Sequence, residues 1–244
     1  RGASDTTAVA LLVPHASRQG IETRPTVVGE AAAALGKLRH PAAKDALQAL
    51  LTFAPLNGPG LRESVGPALL AVWRQPRPLP VEPVSRWLNS QDAELRWRAA
   101  YALARRAEPA ATAALYRNVR DPDAMVRSMV ARSLAPAMAD SSRIGADAAQ
   151  DALYRMITGD TAQIVRLNAL RTVGSYRTER ALRILGDAIR GGRDPYEVIV
   201  AMESLQRLGT FAAPHAALLE AEARDTASPV FVRQTALAAL GAVD

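Results

Sequence analysis

Cysteine is absent from the 244 residues, which excludes disulfides, iron–sulfur clusters and thiol nucleophiles. Histidine is scarce. His15, His40 and His215 lie far apart without a carboxylate at metal-ligand spacing, so they read as surface or helix-end residues, and no metal or cofactor is expected. Aromatic residues make up only 5% of the chain, while alanine recurs throughout, a balance that favours close helix-on-helix packing over a sheet sandwich. Long apolar runs are also missing: a run such as Ala8 to Val13 is far short of the eighteen or so residues that span a bilayer. The chain starts at Arg1 and not at Met, which points to a processed product or a piece of a longer polypeptide and leaves the compartment open.

What is present is repetition. A phrase recurs seven times: a β-branched or Leu anchor, usually an Arg, residues that are mostly small four and seven positions on, then Leu or Val. The anchors are Val27, Leu61, Leu95, Val126, Val165, Val200 and Val232, spaced 34, 34, 31, 39, 35 and 32 residues apart. A near-constant period of this length marks stacked supersecondary units. Ahead of each anchored helix lies another amphipathic stretch, such as Pro41 to Phe53, Pro109 to Val119, Ala148 to Ile157, Ala181 to Ile189 and Ala213 to Ala223. Turns such as Asp121-Pro122-Asp123 and Asp194-Pro195 separate the two, because Asp accepts backbone N–H bonds at a helix start and Pro fixes the entry. Each unit is thus helix, turn, helix.

Two segments break the rhythm: Trp73 to Pro83, with four prolines, and Ala139 to Gly145. The expected organisation is an N-terminal capping segment with repeats one and two over 1–75, a stiff Pro-rich spacer at 76–83, and repeats three to seven over 84–244. The Pro-rich run also fits an SH3-type ligand, though a rigid spacer is the commoner meaning.

Catalytic signatures find no support. Gly58-Pro59-Gly60 and Gly191-Gly192 follow no strand and lead into no phosphate-binding motif; there is no GxSxG, and Asp121 and Asp123 have a capping role. The chain reads as a non-enzyme.

These residues resemble the HEAT repeats, especially the short HEAT-like variety first noted in phycobilisome lyases, over nearly all of Pro25 to Val243. The resemblance implies an all-α fold, a right-handed α-solenoid (α-α superhelix) of about seven helix pairs. It also implies a ladder in which an Asp of the intra-repeat turn and an Arg opening the second helix link successive repeats. Asp92 with Arg96 and Asp123 with Arg127 match that pattern in full; Arg62, Arg166 and Arg233 keep the Arg alone, while repeats one and six carry Val28 and Ala201 there. A narrower likeness, over Leu95 to Arg106 and Val165 to Tyr176, is to the HEAT arm of bacterial cyclophilin-type prolyl isomerases.

At 100° per residue, positions 0, 4, 7, 8 and 11 from each anchor cluster on one side, so positions 2, 5, 6 and 9 are expected to point away from the core and line a concave groove. That assigns Trp97, Tyr101, Ser128, Arg132, Leu167, Leu170, Arg171 and Gln206 to a partner-binding stripe rich in the residue types that anchor interfaces. The expected function is a non-catalytic scaffold binding another protein or subunit. Two alternatives stand beside it: a substrate-recruiting region of a larger enzyme such as a cyclophilin-type isomerase, and a nucleic-acid cradle, suggested by the +6 charge and pI of about 10.3. Against nucleic acid, five arginines belong to the ladder and the remainder are dispersed among acidic neighbours.

Overall fold

The computed structural model describes residues 2–16, 24–192 and 194–243. It is helical, and no strand occurs among the described residues. The chain divides into two compact blocks, Arg1–Val130 and Ala131–Asp244, so the break falls inside a helix of repeat four. This division does not coincide with the 76–83 segment. Within the N-terminal block that segment is folded in: Leu79 is buried, its N–H donates to the Glu108 carboxylate, and a helix begins at Val81.

The N-terminal block contains α1 (Gly2–Ala16), α2 (Pro25–Leu35), α3 (Pro41–Phe53), α4 (Leu61–Val72), α5 (Val81–Ser85) continued by a 3-10 turn (Arg86–Asn89), α6 (Ala93–Ala104), α7 (Pro109–Tyr116) and the start of α8 (Ala124–Ser133). The second helices pack on one another in sequence, α2 on α4 and α4 on α6, and on their own first helices, α3 on α4 and α5 on α6. The C-terminal block contains the end of α8, then α9 (Pro136–Ser141), α10 (Ala146–Gly159), α11 (Gln163–Val173), α12 (Glu179–Gly191), α13 (Pro195–Leu208), a 3-10 turn (Gly209–His215), α14 (Ala216–Arg224) and α15 (Val230–Val243). There α11 packs on α13 and α13 on α15, with α10 and α12 behind them. The seven anchored helices therefore fall where the period put them. The rhythm-breaking segment Ala139 to Gly145 starts in the last residues of the short helix α9 and continues as a turn over 142–145, with Arg143 at φ 63° and Gly145 at φ 82°.

Local chemistry sets the helix starts. Proline opens α2, α3, α7, α9 and α13, where its missing N–H has no intrahelical partner to lose. His40 caps α3 through Nδ1, Asp92 caps α6, Asp123 caps α8 at Met125 and Val126, Thr178 caps α12, and Asp194 caps α13 at Tyr196 and Glu197.

The ladder exists, with a different pairing from the expected one. In three repeats the Arg after the anchor folds its Nη1 back onto two turn carbonyls, six and five residues earlier: Arg96 on Ser90 and Gln91, Arg127 on Asp121 and Pro122, Arg166 on Asp160 and Thr161. The carboxylates of Asp92 and Asp123 cap their own helices, so where the free edge of the guanidinium meets a carboxylate, that carboxylate belongs to the following repeat. Arg62 meets Asp92 at 2.5 Å, Arg96 meets Asp121 at 3.0 Å, and Arg166 meets Glu197 at 2.5 Å. Burial raises the pKa of Asp92, but the Arg62 bond and the Glu94 and Leu95 amides outweigh it and hold the carboxyl below its ordinary value.

Further side-chain bonds between repeats reach carbonyls at helix ends, where intrahelical donors run out. Gln75 donates to the Leu35 carbonyl, Trp87 Nε1 to Leu51, and Tyr176 Oη to Leu134. Burial lifts the Tyr176 hydroxyl well above its usual range, so it stays a proton donor.

Burial separates the ladder joints. Arg96–Asp121 has side-chain exposures of 12% and 5%, and Arg166–Glu197 of 7% and 5%, whereas Arg62 is 61% exposed. Removing one member of a buried pair strands the other charge, at about 3–5 kcal/mol. Arg96→Ala and Arg166→Ala should each lower unfolding stability by that amount in denaturant titrations, and Arg62→Ala by much less. Equal losses at all three would show that burial does not set the strength of the ladder.

Candidate functional site

Position six after the anchor is the direction least covered by neighbours. It holds Tyr101 in α6, half-buried, and the exposed Arg132, Arg171 and Gln206 in α8, α11 and α13. Position five behaves differently. Ala100, Ala131, Leu170 and Leu205 are all fully buried, because a second helix is flanked by its own first helix and by second helices on both sides, which widens the buried arc beyond one stripe. Leu170 therefore leaves the expected stripe. Ser128 leaves it too: it is buried, and its hydroxyl donates to the Met125 carbonyl of its own helix. Leu167 is half-buried.

In the N-terminal block the structure builds something denser than a stripe. Trp97 and Tyr101, one turn apart on α6, meet edge to face with centroids 6.3 Å apart, and Tyr101 meets Trp73, the C-cap of α4, at 6.2 Å. Guanidinium groups surround these rings. Arg105 lies 4.7 Å from the Trp73 centroid and 6.0 Å from that of Tyr101; Arg74 lies 5.5 Å from Trp73, and Arg98 lies 6.0 Å from Trp97. Such contacts contribute about 0.5–1 kcal/mol each at exposed sites and hold flat side chains in fixed orientations.

One carboxylate serves the cluster. Glu94 accepts from Trp97 Nε1 at 2.6 Å and from Arg98 Nε at 2.8 Å. The Trp97 bond, followed by that of Arg98, holds its carboxyl below the usual glutamate value against the opposing effect of burial. Glu94 is thereby spent on Trp97 and Arg98. Among the described residues, Arg74 and Arg105 have cation–π contacts and no ion pair. The face carries two uncompensated cations on an aromatic floor. Trp73 Nε1 is buried with no acceptor among the described residues.

The sequence reading named Trp97 and Tyr101 but missed Trp73, Arg74, Arg98 and Arg105. Arg105 was within reach, since it stands one turn beyond Tyr101 on the same helix face. Trp73 was not, because only the packing of α4 on α6 brings it there.

The remaining surface offers less for chemistry. A cleft of about 240 Å³ is lined by Tyr154, Ile157, Ile184, Asp187 and Glu197, with Glu197 committed to Arg166. Another, of about 290 Å³, lies along the Arg62–Asp92 pair. No group of three or more metal-ligating side chains occurs among the described residues, and no described helix is long and apolar enough to cross a membrane.

Protonating Glu94 removes the negative charge that strengthens the bond from Trp97 Nε1. Because its folded pKa is depressed, the charge-assisted contact is at full strength above the ordinary glutamate range and weakens as pH falls through the lower folded value. Tryptophan fluorescence should change below the ordinary glutamate range in the native chain, and Glu94→Gln should lose that transition. An unchanged transition in the variant would assign it elsewhere.

The comparisons with known proteins agree with this architecture. The family model described as HEAT repeats matches residues 81–143 and 119–206. No curated protein matches the chain. Among solved structures, two crystal structures of engineered proteins are similar. One has a TM-score of 0.52 at 18% identity and covers 96% of each chain; the other has a TM-score of 0.54 at 18% identity and covers 96% of this chain and 73% of that one. At this identity the likeness shows the α-solenoid fold alone. With the family model spanning just over half its length, the chain belongs to the HEAT-repeat family.

Proposed function

We propose that this chain is a non-catalytic HEAT-repeat scaffold that binds another polypeptide on the exposed face of its second helices, with the Trp73–Tyr101–Arg105 cluster as the principal contact. The observation that carries this reading is a set of large, oriented aromatic rings held under guanidinium groups that have no ion pair of their own. Trp, Tyr and Arg combine large contact area with directional polarity at low ordering cost, which is why they dominate binding energy at interfaces. Two cations without counterions select for acidic side chains in the partner. In the C-terminal block, Arg132, Arg171 and Gln206 offer a second polar face, with Leu167 beside Arg171.

The same face would serve if the chain were the recruiting region of a larger enzyme. Dispersed cations on an aromatic floor suit a polypeptide better than a phosphate backbone, which is met by a continuous basic track.

The test is affinity for a captured partner alongside thermal stability. Tyr101→Ala and Arg105→Ala should each weaken binding by at least about 1–2 kcal/mol. Arg132→Ala and Arg171→Ala report on the second face. Arg224→Ala, at an exposed pair with Glu220, is the neutral control. Unchanged affinity for Tyr101→Ala and Arg105→Ala, or losses that only track unfolding, would move the interface to the first helices or the loops.

A further inference from the structure

Six cations, far apart in sequence, stand at one end of the second helices of the N-terminal block. Lys37 and Arg39 follow α2, Arg74 and Arg77 follow α4, and Arg105 and Arg106 follow α6; all are exposed except Arg106, which is half-buried. Among the described residues none of the six is in an ion pair. Cations favour helix C-termini, but each terminus offsets only roughly half a charge. The first helices α3 and α7 begin at this same end, with the opposite sign. Of the carboxylates there, Glu108 is spent on the Leu79 N–H and Glu82 lies in the first turn of α5. Most of the positive charge is left uncompensated.

Hydrogen bonds lace the three helix ends together. Gln75 donates to the Leu35 carbonyl, Arg106 Nη2 to the Gln75 carbonyl, and Arg77 Nη2 to the Arg106 carbonyl at 3.4 Å. The end of α2 lies directly against α4, since a Cβ on Gly36 would lie 2.5 Å from the Ala71 methyl. Pro76 and Pro78 flank Arg77 and restrict its backbone. The lace forces like charges together. Burial first, then the charges of Arg77 and Arg39, push the Arg106 guanidinium below its ordinary value, with Glu108 pulling the other way. Arg106 spends only Nη2 on the lace: its Nε is buried with no partner, and no described residue accepts from Nη1.

We propose that Arg39, Arg77 and Arg106 form a binding site for a terminal phosphoryl group, a dianion with three free oxygens. Convergence selects this ligand. A phosphodiester chain spreads single charges along a line and is met by a track of cations, whereas three guanidiniums held close to one another match two charges on one tetrahedral centre. Three successive repeats each contribute one group: Arg106 offers Nη1, and the exposed Arg39 and Arg77 offer donors that no carboxylate occupies. A bound dianion also relieves the repulsion that the lace imposes. The site uses no residue of the Trp73–Tyr101–Arg105 cluster, so it stands or falls independently of the proposed function.

The probes are inorganic phosphate and N-acetyl-phosphoserine amide, each titrated with the full chain at fixed ionic strength and read by phosphorus NMR. Both should shift saturably, and Arg39→Gln and Arg77→Gln should each weaken binding at least about tenfold. Both side chains are exposed, so these variants report on the site without touching the core, and thermal melts check this. Arg224→Gln removes the same charge from an exposed pair with Glu220 and should leave binding unchanged. Tighter binding of the phosphoserine derivative would support the site with a modified polypeptide as its source, and equal or weaker binding would support it with free phosphate. Absence of a saturable shift with either probe, or equal losses from Arg77→Gln and Arg224→Gln, would overturn the proposal. So would tighter binding to a DNA duplex that Arg39→Gln and Arg77→Gln abolish, since that would make these cations part of a track for a phosphate backbone.

Discussion

A helix ends with backbone groups that have no partner in the helix itself, and in this chain side chains from adjoining segments supply many of them. The ladder arginine is the clearest case. Its Nη1 closes the turn before its own helix, and its other edge reaches the following repeat's carboxylate where one is in place. The two halves of one guanidinium thus fix both the shape of a repeat and its register on a neighbour. The planar five-donor fork makes this possible, and a lysine would do only half of it. Gln75, Trp87 and Tyr176 perform the same service for the carbonyls of Leu35, Leu51 and Leu134.

Register matters because it decides which side chains meet. Packing α4 on α6 brings Trp73 beside Tyr101, and only then can Arg105 cover both rings. Widely spaced sequence positions become one surface through the joint, and the chemistry of that surface follows from what the joint leaves uncovered. Alanine and glycine contribute by being small: Gly36, Gly66 and Gly174 lie where a neighbouring repeat comes too close for a side chain.

Much of the fold was legible in the sequence, because a period near 34 residues and the proline and aspartate punctuation both report local physics. Pro41 to Phe53 is a helix with those bounds, and all seven anchors lie on second helices. The site was legible only in part. The expected stripe treated each second helix as having one buried side, whereas flanking by neighbours buries Leu170 and Ser128 as well. The ladder's arginines were visible, but the carboxylates they use were not all so: Asp121 and Glu197 take part only through the spatial offset between repeats, to which spacing within a repeat is blind.

The central claim is that the chain meets its partner on the aromatic and cationic face of α4 and α6. Site-specific photocrosslinking tests it most directly, with a benzophenone side chain placed in turn at position 105, beside Trp73, and at position 117, exposed at the C-terminal end of α7. The account predicts a partner adduct from position 105 and none from position 117. Adducts from 117 alone would contradict it and place the interface on the first helices.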